Sequence, residues 1–152
     1  MRCFLCPFDQ FALGIPEDMV AAIMIYSGEV TEIVSQDEGG NSFFSLPHYF
    51  TLADRMIHHG VVLKPPDQGI PQNNGAVSEP EEGPRNILLV NFVEQEVDIP
   101  PGDIYPLPEL LLAPEKFSFF TGIAFLNSTM IVLLDPASLI AQILRNREGG
   151  AA

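Results

Sequence analysis

The stretch Thr121-Gly122-Ile123-Ala124-Phe125-Leu126-Asn127-Ser128-Thr129-Met130-Ile131-Val132-Leu133-Leu134-Asp135 holds two apolar runs separated by three small polar residues. Such a pattern predicts a hairpin, Phe117 to Leu126 against Met130 to Leu134, turning at Asn127-Ser128-Thr129. Asp135 stands where a helix N-cap belongs. Pro136 takes the first helical position, where a missing N–H removes no hydrogen bond. Leu139, Ile140, Ile143 and Leu144 then recur at helical spacing and predict one apolar stripe. Arg145 and Arg147 fall at the negative end of that helix, and Gly149-Gly150 stops it.

Upstream, the signals are those of strands. Ile87, Leu88, Leu89 and Val90 make Asn86 to Asn91 a buried strand. From Phe92 to Ile99, Val93, Val97 and Ile99 alternate with Glu94, Glu96 and Asp98, with Gln95 breaking the apolar face, so a half-buried strand is expected up to Pro100. Asp103 to Pro114 is Pro-rich and extended, with Leu107 and Leu110 to Leu112 as expected contacts. Ser42 to Leu46 and His48 to Leu52 read as strand pieces interrupted at Pro47, which suits a sheet edge. Val30 to Val34 and Gly60 to Lys64 read as short strands. At the start, Arg2 to Phe8 and Phe11 to Ile15 pair across Asp9-Gln10, with Phe4 and Cys6 on one face and Leu5 on the other. Pro16-Glu17-Asp18 opens a helical turn that Val20, Ile23 and Met24 would line, although Ile23 to Tyr26 is equally compatible with an extended chain. Residues 65–85 are crowded with Pro, Gly, Gln, Asn and Glu and are expected to form an exposed loop. Many short strands, turn signals roughly every 8 to 12 residues and one terminal helix predict a mostly β protein built from small barrels.

The 152 residues suit one domain with a core that needs neither disulfides nor metals. Twenty acidic against seven basic residues give a formal net charge of -13. Such a surface repels phosphate backbones and anionic lipid headgroups, which argues against nucleic-acid and membrane-surface partners. The apolar runs, Met19 to Tyr26 and Met130 to Leu134, are far shorter than the roughly 18 residues of a membrane span. Arg2 is followed by strand-like sequence rather than a signal peptide's apolar core. With only Cys3 and Cys6, a lone C-x-x-C, the expectation is a cytoplasmic protein with structural thiols in its first strand.

Catalytic and metal-binding signatures do not emerge from the residues. There is no G-x-S-x-G elbow, no phosphate-binding glycine loop ahead of a helix, and no H-E-x-x-H. His58 and His59 are adjacent and would project to opposite faces of a strand, and His48 reads as a satisfied or surface side chain. Glu94, Glu96 and Asp98 share a face, but it is the face opposite the apolar one and reads as a solvated stripe that discourages edge pairing. The expectation is a non-catalytic binding protein with no cofactor and no metal.

Three blocks in order carry a family resemblance. Thr121 to Asp135 with Leu139-Ile140 is similar to the closing segment of CheW domains. Ile87 to Val93, Val97 to Pro100 and Ile104-Tyr105-Pro106-Leu107-Pro108 resemble the central blocks of that family. Phe11-Ala12-Leu13-Gly14-Ile15-Pro16, followed by Val20 and Ile23, resembles its opening. Gly14 in a strand permits a bulge or a close backbone approach, and Gly122 could serve the same end at a barrel corner. The resemblance implies a single domain over residues 1–148, with residues 65–85 a loop within it and 149–152 a tail. It implies two small five-stranded SH3-like β-barrel subdomains packed around a shared apolar seam, with a C-terminal helix. It also implies an adaptor that couples the cytoplasmic helical hairpin of a chemoreceptor to the regulatory domain of a CheA-like histidine kinase. Val20, Ile23 and Phe43 are the implied groove-lining residues, although any of them could equally be core.

Three places depart from the family pattern: Val90-Asn91 stands for the family's "V-V-D", Pro65 to Arg85 replaces or lengthens its mid-chain hairpin, and a third segment loses an Arg. Where the family carries "N-L-R-G" before its central strand, this chain has Gln36-Asp37-Glu38-Gly39-Gly40-Asn41. The Arg associated with receptor binding is gone and the local charge is reversed. A divergent scaffold in a non-chemotactic system or array, without ordinary receptor binding, is therefore the second reading. A small-ligand-binding or enzymatic β-barrel is the third.

Overall fold

The computed structural model describes residues 1–8, 11–52, 54–65, 84–106 and 119–149. The expected turn at Asp9-Gln10, nearly all of the 65–85 loop, the Leu107 and Leu110 to Leu112 contacts and the last tail residues lie outside the described residues. The described residues form ten strands in two sheets. Strands β1 (Arg2–Pro7), β2 (Ala12–Pro16), β8 (Glu96–Asp98), β9 (Phe120–Leu126) and β10 (Thr129–Leu134) make the first sheet, in the order β8-β1-β2-β10-β9. Strands β3 (Val20–Ile25), β4 (Val34–Gln36), β5 (Ser42–Ser45), β6 (His59–Leu63) and β7 (Asn86–Val90) make the second, in the order β3-β6-β7-β5-β4. A one-turn helix, α1 (Leu46–Tyr49), follows β5, and the terminal helix α2 spans Pro136–Gly149. This is the mostly β architecture of two five-stranded subdomains that the sequence leads one to expect.

Alternation along single strands builds three apolar clusters, because successive strand residues face opposite ways. On β10, Ile131 and Leu133 join Cys3, Leu5, Ala12 and Ala124 in the first sheet's own core. On β7, Ile87 and Leu89 join Ile57, Tyr26 and Phe43 in the second's. The residues between them, Val132 and Leu134 on β10 and Leu88 and Val90 on β7, meet in a shared seam with Leu13, Ile15 and Phe44. Leu139, Ile140 and Ile143 of α2 close that seam. The N-cap forms as expected: Asp135 accepts hydrogen bonds from the Ala137 amide at 3.2 Å and the Ser138 hydroxyl at 2.8 Å. Leu144, expected in the stripe, is 40% exposed at its edge.

Gly14 holds the tightest approach in the first sheet. A Cβ there would lie 2.9 Å from the Leu133 Cδ2 methyl and 3.0 Å from the Ile131 Cγ2 methyl, so a side chain at this position would have to displace them. At Gly122 a Cβ would meet Ile104 at 3.0 Å and the Tyr105 carbonyl at 3.2 Å, next to the register shift at Leu133/Leu134. Gly122 meets a backbone group beside a register shift, as expected, whereas the neighbours at Gly14 are side chains and β2 pairs there without a bulge.

Several expected elements are corrected. The β9–β10 turn contains two residues rather than three: Asn127 and Ser128 have φ of 51° and 69°, and Thr129 already pairs with Leu126. Positive φ at both positions matches the twist of the flanking strands. The Pro16-Glu17-Asp18 turn is confined to a 3-10 turn at Glu17–Met19, and Val20 to Ile25 is extended. The strand expected over Val30 to Val34 begins only at Val34. His48 to Leu52 is not a strand and Pro47 is not on an edge. β5 is an interior strand, and the Ser45 side chain caps α1, with Pro47 in its first turn. Of the Phe92 to Ile99 strand only Glu96–Asp98 is regular. Ahead of it Leu5 donates to the Gln95 carbonyl and accepts from the Glu94 amide, two residues against one, the count of a β-bulge. Gln95, the residue that breaks the apolar alternation, sits at that bulge.

Candidate interaction surface

The segment from Asn91 to Gln95 carries the chain from the second sheet to the first and is anchored at its start. Asn91 is buried, and its side-chain amide donates to the carbonyls of Asp54 at 3.1 Å and Met56 at 2.7 Å. Beyond it the Val93 amide donates to His59 Nδ1 at 3.3 Å. His58 stacks on Phe92, with ring centroids 4.7 Å apart and planes 12° from parallel. Both adjacent histidines thus approach the same phenylalanine, although the alternation expected them on opposite faces. Around them Ile25, Met56 and Phe92 are exposed, Ile25 by 82%. Ile25 stood inside the apolar run Met19 to Tyr26, but the sequence does not distinguish its outer from its inner members.

The expected groove residues occupy two environments. Val20 is buried in the shared seam, and Ile23 packs against it half-buried. Phe43 lies on the opposite face of its sheet, in the second sheet's own core, its ring 5.9 Å from Tyr26. The structure brings Val20 and Ile23 together on β3 and places Phe43 apart from them. Between the two seam residues, Ala21 and Ala22 are exposed and the register against β6 shifts.

The 36–41 segment, which departs from the family pattern, is a built loop. The Asp37 carboxylate accepts from the amides of Gly39 and Asn41, each at 2.9 Å, and from the Asn41 side chain at 3.1 Å. The Asn41 side-chain bond, foremost, holds the Asp37 carboxyl below its usual range. Asn41 Oδ1 in turn accepts from the Arg85 amide at 2.9 Å, tying the loop to the strand that follows.

The titratable groups elsewhere have structural roles. Cys3 and Cys6 are free and buried, and burial pushes their thiols up to about 11 and about 12. A thiol that stays protonated at neutral pH is a poor nucleophile and a poor ligand. His48 Nδ1 lies 2.6 Å from the Ser45 hydroxyl, the satisfied histidine expected there. At the first sheet's edge Arg2 sits 3.0 Å from Glu96 and 3.5 Å from Glu17. The Arg2 hydrogen bond holds the Glu96 carboxyl low, while a hydrogen bond to Glu96 raises that of Glu17. Among the described residues no group of three His, Cys, Asp or Glu is placed to hold a metal ion, and no helix is long and apolar enough to cross a membrane.

The fold is similar to that of a known scaffolding protein. The structure of the scaffolding protein TtCheW from Thermoanaerobacter tengcongensis superimposes with a TM-score of 0.60, over 88% of this chain and 82% of that one. The two sequences are 14% identical over the match, so the likeness establishes the fold. No family model matches the chain, and no curated protein matches it in sequence.

Proposed function

We propose that this protein is a non-catalytic, cytoplasmic adaptor of the CheW type, linking a CheA-like histidine kinase to chemoreceptors. The observation that carries the reading is the architecture: two five-stranded subdomains on a shared seam, similar over most of both chains to a scaffolding protein. The ordered sequence blocks at Phe11 to Ile23, Ile87 to Pro108 and Thr121 to Ile140 support it independently. In this reading residues 1–148 act as one domain, and the kinase's regulatory domain is the first partner. A receptor's helical hairpin is the second partner, received along the seam by Val20 and Ile23 in a helix-in-groove mode, with Phe43 supporting the groove from the second subdomain.

The test is isothermal titration of the chain into the regulatory domain of a CheA-like kinase from the same organism. Heat and a defined complex are expected; no heat with any such kinase overturns the reading. Val20→Asp and Phe43→Asp, checked first for retained folding, are then expected to weaken receptor-hairpin binding at least tenfold. Full binding by both folded variants removes these residues from the groove.

The built acidic loop at 36–41 favours a second reading for the receptor side. With Asp37 locked by three internal hydrogen bonds and no Arg in the segment, the chain serves as a scaffold that has lost ordinary receptor binding. Normal hairpin binding in the same titration discards that version.

A further inference from the structure

Among the described residues the two sheets present four edge strands, and three of them are protected. β8 is three residues long and carries Glu96 and Asp98, with Arg2 paired to Glu96. β4 is three residues long and lies between Glu32 and Asp37. β9 is partly covered: Tyr105 exchanges two backbone hydrogen bonds with Ile123, at 2.8 and 2.9 Å. These are the usual devices against strand pairing.

β3 has almost none of them. It is six residues long, and from Val20 to Tyr26 the chain has no charge, no Pro and no Gly. Its one irregularity is the register shift between Val20 and Ala22; Ala22 to Ile25 pairs regularly with β6. The Tyr26 amide donates inward to the His58 carbonyl. Alternation then aims the backbone N–H and C=O groups of Ile23 and Ile25 outward. Among the described residues no strand pairs with that side, and the exposed side chains along it are Ala21, Ala22 and Ile25, the last 82% exposed.

We infer that the outer edge of β3 is a strand-addition site that takes an extended apolar segment of another protein, flanked by basic residues. Charge selects the occupant. Asp18 precedes the strand, next to Glu17, which already faces Arg2 at 3.5 Å; Lys64 lies beside the strand's start and Glu29 follows its end. The chain as a whole carries a formal charge of -13. A second copy pairing antiparallel would set Glu17 and Asp18 against the other copy's Glu29, a like-charge arrangement. An apolar segment with Lys or Arg at its ends meets the same positions with opposite charge. Main-chain hydrogen bonds would supply the affinity, as in other β-augmentation sites. The site uses the backbone edge of β3, whereas the proposed receptor groove uses the Val20 and Ile23 side chains of the same strand.

The test uses the full chain and a synthetic peptide, Lys-Val-Thr-Val-Thr-Val-Lys, followed by NMR. The expected result is saturable binding with slowed exchange of the Ile23 and Ile25 amides. Binding should fall at least tenfold for the same peptide with its central Val replaced by Pro, which keeps the charge and removes the strand. On the protein, Ile25→Pro removes one outward donor at a position where an edge tolerates Pro. Ile25→Lys blunts the edge by charge if the first variant does not fold. Either folded variant is expected to bind at least tenfold more weakly. Equal binding by the Pro peptide or by a folded variant would mean surface charge alone and overturn the site. Absence of binding overturns it too, as does β3-mediated dimerisation of the chain without peptide.

Discussion

The first and second sheets follow one plan. Each has five strands, and each contains a single parallel pair, β2 with β10 and β5 with β7, flanked by antiparallel neighbours in the same sequence. Their interiors differ. The first sheet's core mixes the small residues Cys3, Ala12 and Ala124 with Leu5, Ile99, Ile131 and Leu133, and among the described residues has no aromatic ring in it. The second uses Ile57, Ile87 and Leu89 with the rings of Tyr26 and Phe43. Their edges differ more. The first sheet closes with carboxylates, Arg2 and the Tyr105 bridge, whereas among the described residues nothing pairs with the outer edge of β3. The two sheets therefore share a strand order and differ in their cores and in the treatment of their edges.

The largest effect is expected at the seam that both sheets share. Phe44 is 1% exposed there, and Phe44→Ala should lower stability by about 3–5 kcal/mol. Urea unfolding followed by probes in each sheet should show both melting together. Separate transitions would mean that the seam does not couple the subdomains. A smaller effect separates the two cores. Gly14→Val adds volume where a Cβ already meets Leu133 at 2.9 Å, and should lower stability by about 1–3 kcal/mol. NMR shift changes should concentrate in the first sheet, and changes centred on β7 would contradict the separation of the cores.

The smallest effect is a pH dependence at the first sheet's edge. The folded Glu96 carboxyl titrates below its usual range, so its contribution is present above that range and lost as pH falls through the folded value. Glu17 is raised and works in reverse, contributing at low pH and losing that contribution as pH rises through its folded value. The two partly cancel in the wild type. Arg2→Ala should therefore raise the Glu96 titration midpoint in an NMR pH series and leave β3 and β4 amide shifts unchanged. An unmoved midpoint would remove Arg2 from the cause.

Much of the architecture was legible because period-two alternation marks strands whatever they pack against. Ile87 to Val90 and Ile131 to Leu134 read as continuous apolar runs because both faces are buried, one in a subdomain core and one in the seam. Asp135-Pro136 marked the helix start through its capping chemistry alone. The errors fell where tertiary pairing overrode local pattern. His48 to Leu52 has strand-like composition, yet the Ser45 cap turns it into a helical turn. Gln95 looked like a lapse in alternation and is a bulge set by Leu5 across the sheet. The interaction surface was least legible. Val20, Ile23 and Ile25 are alike as residues, and only β6 and the opposite sheet decide which is buried, which is half-covered and which is bare.

The central claim is that this is an adaptor that acts by binding a kinase of the CheA type. It is tested most directly by amide hydrogen exchange of the full chain, alone and with the kinase's regulatory domain. The account predicts a contiguous set of backbone amides on the chain's surface that become slower to exchange only when the kinase domain is present. Identical exchange in both samples, at concentrations where the kinase domain is folded and in excess, would contradict it.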